Sequence, residues 1–297
     1  MSAEDHIDDS TAPLIEHLAE LRNRLLWSLG AFVVAMVICF SFGSALLDFL
    51  LIPIEKTMRA LGNDNPVMQY TAPQEYFFTL IRIAMVGGLM LSFPVIAYQM
   101  WRFVAPGLYR SEKQAFLPFL IASPVLFLLG AAFAHFIVVP IAMQFFLGFA
   151  DLPSYVAAIV TGKGAPATSK HGIEIVFNGK VNETLDITLK MIVAFGLCFQ
   201  LPVLLTLMGK AGLATSRGLR GMRKYAIVGI LTLAALLTPP DVTSQVILFS
   251  VVYGLYEISI FLVQWVEKKK DDEARAEGII GEGESLFDDP DDDGKGA

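Results

Sequence analysis

The chain has 297 residues, of which 55% are hydrophobic and 17% are charged. Because soluble globular domains carry about 25% charged residues, this composition excludes an ordinary soluble domain and predicts a polytopic membrane protein. The formal net charge of −7 is concentrated near the C-terminus: residues 271–297 carry −9, so residues 1–270 carry +2. The acidic segment 271–297 is predicted to be a disordered tail on the cytoplasmic side.

Reactive side chains are few. The only cysteines, Cys39 and Cys198, lie in separate apolar segments, which excludes a disulfide framework. The four histidines are scattered, and no nucleotide-binding glycine motif occurs, so no cofactor, metal or nucleic-acid partner is expected. Residues 1–13 are polar and acidic, unlike the start of a cleavable signal peptide, and are expected to form a cytoplasmic tail.

Residues 14–270 are predicted to form an all-α membrane domain with six transmembrane helices. The third apolar segment would extend about 50 Å as one helix, longer than the roughly 30 Å hydrocarbon core, so kinks are expected at Pro118, Pro124 and Pro140. The fifth covers only about 20 Å, and Pro239 and Pro240 end it. The apolar segments are Leu25–Leu51, Tyr76–Val104, Ala115–Phe149, Leu185–Met208, Tyr225–Leu237 and Val242–Val266.

The loops between these segments differ in charge. With the N-terminus inside, thirteen Lys and Arg residues fall on the inner side and five on the outer side, which predicts that both termini are cytoplasmic. The outer loops are expected at Ile52–Glu75, which contains Pro53, and at Gly148–Thr184. The second outer loop could include a short hairpin turning at Asn178-Gly179.

A short amphipathic stretch, His17–Leu25, precedes the first span. On a helix its leucines form one stripe and Glu20 lies on the opposite side, so the stretch is expected at a membrane surface with a carboxylate at headgroup level. The alternative is that Glu16, Glu20 and Arg24, spaced four residues apart, only support the helix.

The second loop offers another carboxylate on the same side of the membrane. Pro106-Gly107 predicts a turn, and aromatic residues lie beside Glu112. The alternative is a loop salt bridge of Glu112 with Arg110 or Lys113, which would contribute about 0–1 kcal/mol. Two carboxylates at an aromatic-lined interface would suit a ligand with two guanidinium groups.

Four polar residues fall inside the predicted spans. Arg82 and Lys190 lie near outer ends and are expected to reach the interface along their apolar stems. Gln200 and Glu257 lie deep, and we expect both to line one polar concavity, because facing lipid would cost several kcal/mol.

Four motifs in this sequence resemble those of the TatC family, over roughly residues 10–268. The motifs are HLAELRNRL at 17–25, WRFVAPGLYRSE at 101–112, FGLCFQLP at 195–202 and LTPPDVTSQ at 237–245.

The resemblance implies the six-span core subunit of the bacterial twin-arginine translocase, in the cytoplasmic (inner) membrane. It implies a non-enzymatic receptor for signal peptides with consecutive arginines, which exports folded proteins using the proton-motive force. The implied partners are TatA- and TatB-type single-span subunits, with homo-oligomers inside the larger complex. The implied fold is cupped and glove-like, N-in and C-in, with two short spans at the C-terminal end.

The resemblance also implies site residues. Glu20 and Glu112 correspond to the carboxylates that contact the two arginines. Arg22, Phe103, Tyr109 and Pro53 occupy other positions to which the family is sensitive. Gln200 stands where many members have glutamate, so a role that needs a titratable carboxylate there is not expected.

Two other classes of function are compatible with an apolar chain of this kind. A secondary transporter could use Arg82, Lys190 and Glu257, but such proteins are often built from repeats, and the halves of this chain match in neither length nor motif. An intramembrane hydrolase would need a nucleophile and a base, and no such pair can be drawn.

Overall fold

The computed structural model describes residues 5–60, 65–104, 117–148, 179–238, 242–276, 278–281 and 285–287. Within these ranges the protein is helical apart from short connections, as predicted. The helices are α1 (Asp5–Ser41), α2 (Gly43–Ala60), α3 (Pro73–Val104), α4 (Leu117–Phe133), a π-helical turn (Ala134–Val138), α5 (Val139–Gly148), α6 (Val181–Cys198), α7 (Leu201–Lys210), α8 (Ser216–Gly221), α9 (Arg223–Leu237) and α10 (Val242–Ala276).

Five helical stretches are long and apolar enough to cross a membrane, whereas α9, with 15 residues and about 22 Å, is shorter. The five are Leu18–Ser41, Pro73–Phe103, Phe119–Leu147, Val181–Lys210 and Val242–Ala276.

The first predicted span, Leu25–Leu51, is wrong in its second half. Helix α1 ends at Ser41, and α2 begins two residues later. Pro53 was predicted in an outer loop, but it lies buried inside α2. Leu47, Leu50, Ile54 and Met58 recur at helical spacing on the buried face of α2, which therefore packs as an amphipathic helix.

Helices α1 and α3 pack along most of their length, and their closest approaches fix an antiparallel register. Glycines let the backbones meet, because a Cβ at Gly88 would lie 2.8 Å from the Cα of Met36. The facing pairs are Met36–Gly88 and Cys39–Gly87, and the pair Gly43–Leu80 continues the same register at the first residue of α2. In each pair the two residue numbers add up to between 123 and 126, as antiparallel packing requires.

The third apolar segment departs from α-helical geometry at one of the three predicted prolines. Pro118 lies in the first turn of α4, and the helix continues through Pro124. The π-helical turn ends just before Pro140, with the Val139 N–H donating to the Ala134 carbonyl. Because Pro140 cannot donate to the carbonyl four residues back, this wider turn absorbs the lost hydrogen bond.

The core lies where α4 and the π-helical turn cross α6. A Cβ at Gly130 would lie 2.5 Å from the Phe195 carbonyl oxygen, and one at Gly196 would lie 2.9 Å from the Phe127 ring. These glycines therefore set the separation of the two helices. The fourth predicted span is broken at Phe199 and Gln200, where α6 ends and α7 begins.

The C-terminal helices differ from two of our predictions. Only α9 is short, because α10 runs for 35 residues, so the expectation of two short C-terminal spans is wrong. Helix α10 continues to Ala276, and Asp271 is buried and accepts a hydrogen bond from the Leu286 backbone N–H at 3.0 Å. Disorder is therefore the wrong prediction for residues 271–276, whose helix carries on beyond the predicted boundary at 270.

The helix termini lie at two opposite ends of the molecule, which we call the basic end and the opposite end. The basic end contains the start of α1 and the ends of α3, α7 and α10. Here the Lys270 Nζ donates to the Lys210 carbonyl at 2.7 Å, and Glu267 accepts from the Ser216 N–H at 2.7 Å. At the opposite end, Gln69 forms a parallel β-bridge with Lys180. The predicted hairpin around Asn178 lies largely outside the described residues.

Candidate functional site

The amphipathic stretch forms the first part of α1, and its carboxylate holds a guanidinium group. Glu20 accepts hydrogen bonds from both Nε and Nη2 of Arg24, the Nε bond at 3.0 Å. Both side chains are partly buried, whereas Leu18, Leu21 and Leu25 are exposed. The local ion pair and the exposed leucine stripe, which were alternative interpretations of the sequence, therefore coexist.

Arg22 and Phe103 lie near Glu20 at the basic end. Arg22 is exposed on α1, and Phe103 is partly buried in the last turn of α3. The antiparallel register of α1 and α3 puts Glu20 level with the end of α3 at Val104. The loop that carries Glu112 therefore leaves α3 beside Glu20.

Tyr109 and Glu112 lie outside the described residues, as do Pro239 and Pro240. The aromatic surroundings predicted for the loop are present on its flanks, where the rings of Trp101 and Phe119 lie 6.5 Å apart. The Lys210 Nζ lies 5.9 Å from the centre of the Phe119 ring. The ring contact thus joins the two flanks of the loop, and the cation–π contact attaches the second flank to the end of α7.

Gln200 is fixed by reciprocal hydrogen bonds to one residue of α4. The Ser123 hydroxyl donates to Gln200 Oε1 at 2.6 Å, and Gln200 Nε2 donates to the Ser123 carbonyl at 2.9 Å. Both a donor and an acceptor of the amide are used. A carboxylate could reproduce only the first of these bonds unless it were protonated.

Glu257 pairs with a cation at the start of α9. Its carboxylate accepts from Arg223 Nη2 at 2.7 Å and from the Tyr253 hydroxyl at 2.9 Å. The structure gives Gln200 and Glu257 different partners on different helices, so the predicted common concavity stays a prediction.

The short length of α9 explains the Glu257 pair. Arg223 lies 14 residues before the end of α9 at Leu237, and Glu257 lies 15 residues after the start of α10 at Val242. In a helical hairpin these positions fall at the same level, about 21–23 Å from the turn. A longer α9 would carry its terminal arginine past Glu257.

Arg82 and Lys190 share the carboxylate of Asp186, a residue that the sequence does not single out. Asp186 on α6 lies 3.5 Å from Arg82 Nη1 and 2.6 Å from Lys190 Nζ. The four-residue spacing of Asp186 and Lys190 is readable from the sequence, but the contact with α3 is not. Because Glu257 pairs elsewhere, the three residues considered for a transporter do not form one pathway.

Comparisons with known proteins agree with this architecture. The family described as Sec-independent protein translocase protein (TatC) matches residues 16–250. A TatC protein of Magnetococcus marinus is 41% identical over 269 residues, covering 91% of this chain and 90% of that protein. A TatC protein of Escherichia coli K12 is 34% identical over 261 residues, covering 88% of this chain and 90% of that protein.

A solved structure shows the same fold. The crystal structure of a twin-arginine translocase receptor, TatC, superimposes with a TM-score of 0.67 at 37% identity, covering 84% of this chain and 99% of that chain. With its five membrane-length helices, the protein is a multi-pass inner-membrane component of the twin-arginine protein transport system. The chain belongs to the Sec-independent protein translocase (TatC) family.

Proposed function

We propose that this protein is the signal-peptide receptor of its translocase, and that Glu20 and Glu112 bind the two consecutive arginines of the signal peptide. The observation that carries the proposal is the pairing of Glu20 with Arg24, in which one carboxylate oxygen, Oε1, accepts from both Nε and Nη2 of the guanidinium. A carboxylate that accepts one guanidinium in this geometry can accept another in exchange.

The register of α1 and α3 supports a second contact close to the first. Helix α3 ends at Val104, level with Glu20, and Glu112 follows eight residues later in the sequence. Eight residues can extend roughly 26 Å or fold back over a much shorter distance. Phe103 and Tyr109 would flank the peptide, and Arg22 would face the headgroups.

The distribution of Lys and Arg residues indicates which end of the molecule faces the cytoplasm. We propose that the basic end faces the cytoplasm, because the loops there hold most of the Lys and Arg residues. The receptor would then meet signal peptides before export, and folded cargo would cross using the proton-motive force.

The proposed partners are TatA- and TatB-type single-span subunits, with further copies of this chain inside the larger complex. The proposed arrangement of the six spans within one chain is cupped and glove-like. Exposed apolar residues on α9 supply a surface for a partner helix, since Tyr225 and Val228 both face outward. We propose a transport role without catalysis.

The test is binding of a signal peptide with paired arginines, compared with the same peptide carrying paired lysines. Lysine cannot reproduce the planar, bidentate geometry, so the lysine peptide should lose most of its affinity. Glu20→Gln and Glu112→Gln should each weaken binding of the arginine peptide by on the order of 1–3 kcal/mol.

Glu55→Gln is the matched control, because Glu55 also pairs with an arginine four residues later, Arg59, but on α2. It should bind the peptide like the wild type. Wild-type affinity in both Glu20→Gln and Glu112→Gln would refute the assignment of the site.

A further inference from the structure

Two cavities meet at Arg82, away from the proposed receptor site, one with charged residues in a mixed lining and the other mostly apolar. A polar cavity of about 450 Å³ lies toward the opposite end, between the start of α3 and the start of α6. An apolar groove of about 860 Å³ continues from it along α3, α6 and α9. Arg82 and Met85 line both cavities, so together they form one amphipathic space.

The groove is apolar along its length beyond Arg82. Val193 and Leu197 of α6 form one side, and Leu233 and Leu236 of α9 form the other. Leu236 is 83% exposed and Leu197 is 53% exposed. In a bilayer such a groove has to be filled by apolar groups, because its walls offer water no hydrogen bonds.

The charges around Arg82 divide into two groups. Arg82 and Lys190 both contact Asp186, which leaves one positive charge where the two cavities meet. Farther out, the polar cavity is lined by Lys180, Glu75 and Glu183, which leaves one negative charge. A ligand with a negative group at the junction and a positive group above it would complement both.

Arg82 has donors left for an anion. Its Nη1 donates to Asn182 Oδ1 at 2.9 Å and contacts Asp186. Among the described residues no partner is recorded for its Nε and Nη2. These two nitrogens form the edge of the guanidinium that binds a phosphate through two parallel hydrogen bonds.

The two cavities meet at a depth in the bilayer that suits a group at the membrane–water interface. Arg82 and Lys190 each lie nine residues after the first residue of their helix, about 14 Å along it. The stretches that contain them have 31 and 30 residues, about 45 Å, so each exceeds the roughly 30 Å hydrocarbon core by about 15 Å. If that excess is shared between the two ends, the charges lie about 6 Å below the hydrocarbon boundary, within reach of long side chains.

We propose that this space binds one glycerophospholipid with a primary-amine headgroup, of the phosphatidylethanolamine type. Its phosphate pairs with Arg82, its ammonium group lies near Glu75 and Glu183, and an acyl chain fills the groove. A transmembrane helix is a poorer occupant, because a cylinder 10 Å across and 30 Å long takes up roughly 2,400 Å³, more than twice the 860 Å³ of the groove.

The test is native mass spectrometry of the full chain, delipidated in detergent and titrated with phosphatidylethanolamine. One lipid should be retained by the wild type. Arg82→Gln should lower its occupancy about tenfold, whereas Arg59→Gln, a half-exposed arginine on α2, should not. Phosphatidylglycerol, which lacks the amine, and phosphatidylcholine, whose amine has no N–H, should both bind more weakly.

A second pair of variants tests the groove independently of charge. Leu197→Trp should fill the groove and reduce lipid retention, whereas Leu204→Trp should not, because Leu204 is equally exposed at 54% but does not line the groove. Soluble glycerophosphoethanolamine, which has the same headgroup without acyl chains, should not displace the lipid.

Equal occupancy in Arg82→Gln and Arg59→Gln would overturn the phosphate assignment. A preference for phosphatidylglycerol would overturn the headgroup assignment. Displacement of the lipid from the wild type by a single-span partner helix, together with loss of binding of that helix in Leu197→Trp, would identify the groove as a protein-docking surface instead.

Discussion

At the scale of single residues, Arg24 competes for the carboxylate that the signal peptide is proposed to use. It already donates to Glu20 through two nitrogens, so an incoming arginine has to replace it. The exchange is between like groups, and an interfacial pair four residues apart is worth about 0–1 kcal/mol. Arg24 would therefore keep Glu20 positioned without blocking it.

Arg24→Gln should raise the affinity for a paired-arginine peptide, by no more than about fivefold. Isothermal titration with the purified protein would measure this change. Combining the substitution with Glu20→Gln should abolish the gain, because no carboxylate would then be freed. A fall in affinity in the single variant would show that Arg24 supports the peptide directly.

Gln200 is a structural residue in this chain rather than a titrating one. Gln200→Leu removes two hydrogen bonds and leaves the Ser123 hydroxyl without this partner, so it should cost about 1–3 kcal/mol of stability. Thermal unfolding in detergent would reveal a lower midpoint. A midpoint equal to that of the wild type would mean that water replaces the amide.

At the scale of helices, glycine decides how closely elements pack. Gly88→Ala places a Cβ 2.8 Å from the Met36 Cα, and a backbone atom cannot move aside as a side chain can. We expect a loss of about 1–3 kcal/mol from this overpacking, measured by thermal unfolding. Gly254→Ala is the control, because its Cβ would meet nothing within 4 Å; as a helix-interior change it should be neutral or slightly stabilising.

The second prediction at this scale concerns the effect of lengthening α9. Inserting four Leu or Ala residues after Leu233 would move Arg223 about 6 Å along the helix axis, away from Glu257. It would also remove the mismatch by which a 22 Å helix is expected to thin the bilayer beside it. Both effects should slow export in a membrane-vesicle assay.

Arg223→Gln separates the two effects, because it breaks the Glu257 pair without lengthening α9. Normal export in Arg223→Gln with slow export in the insertion variant would assign the defect to helix length. Full export by an insertion variant that still binds signal peptide would show that the short helix is dispensable.

At the scale of the whole molecule, orientation is open to direct measurement. Single cysteines at Lys56 and Lys269, introduced after replacing the buried Cys39 and Cys198, can be labelled in intact cells with a membrane-impermeant maleimide. We expect labelling at position 56 and not at 269, since the charge balance places α2 outside and the end of α10 inside. The reverse pattern would invert the proposed topology.

The sequence was sufficient for some parts of this molecule and not for others. Long apolar runs predicted α3 and the short α9 closely, because composition alone decides that such segments are helical. Prediction from the sequence failed at α2, whose amphipathic pattern was obscured by Pro53. It also failed at the end of α10, where Asp271 accepts hydrogen bonds from Ser285 and Leu286. The partners of Gln200 and Arg82 depend on register between helices, which one sequence does not reveal.

The β-bridge between Gln69 and Lys180 has a mechanical consequence. It joins the strand-like residues just before α3 to those just before α6, through hydrogen bonds of 3.0 Å on either side of Gln69. The two helices therefore start from a common pivot. If they separate, the gap between them has to widen toward the basic end, as the blades of scissors open away from their pin. The gap would then be widest near the surface where signal peptides are proposed to arrive.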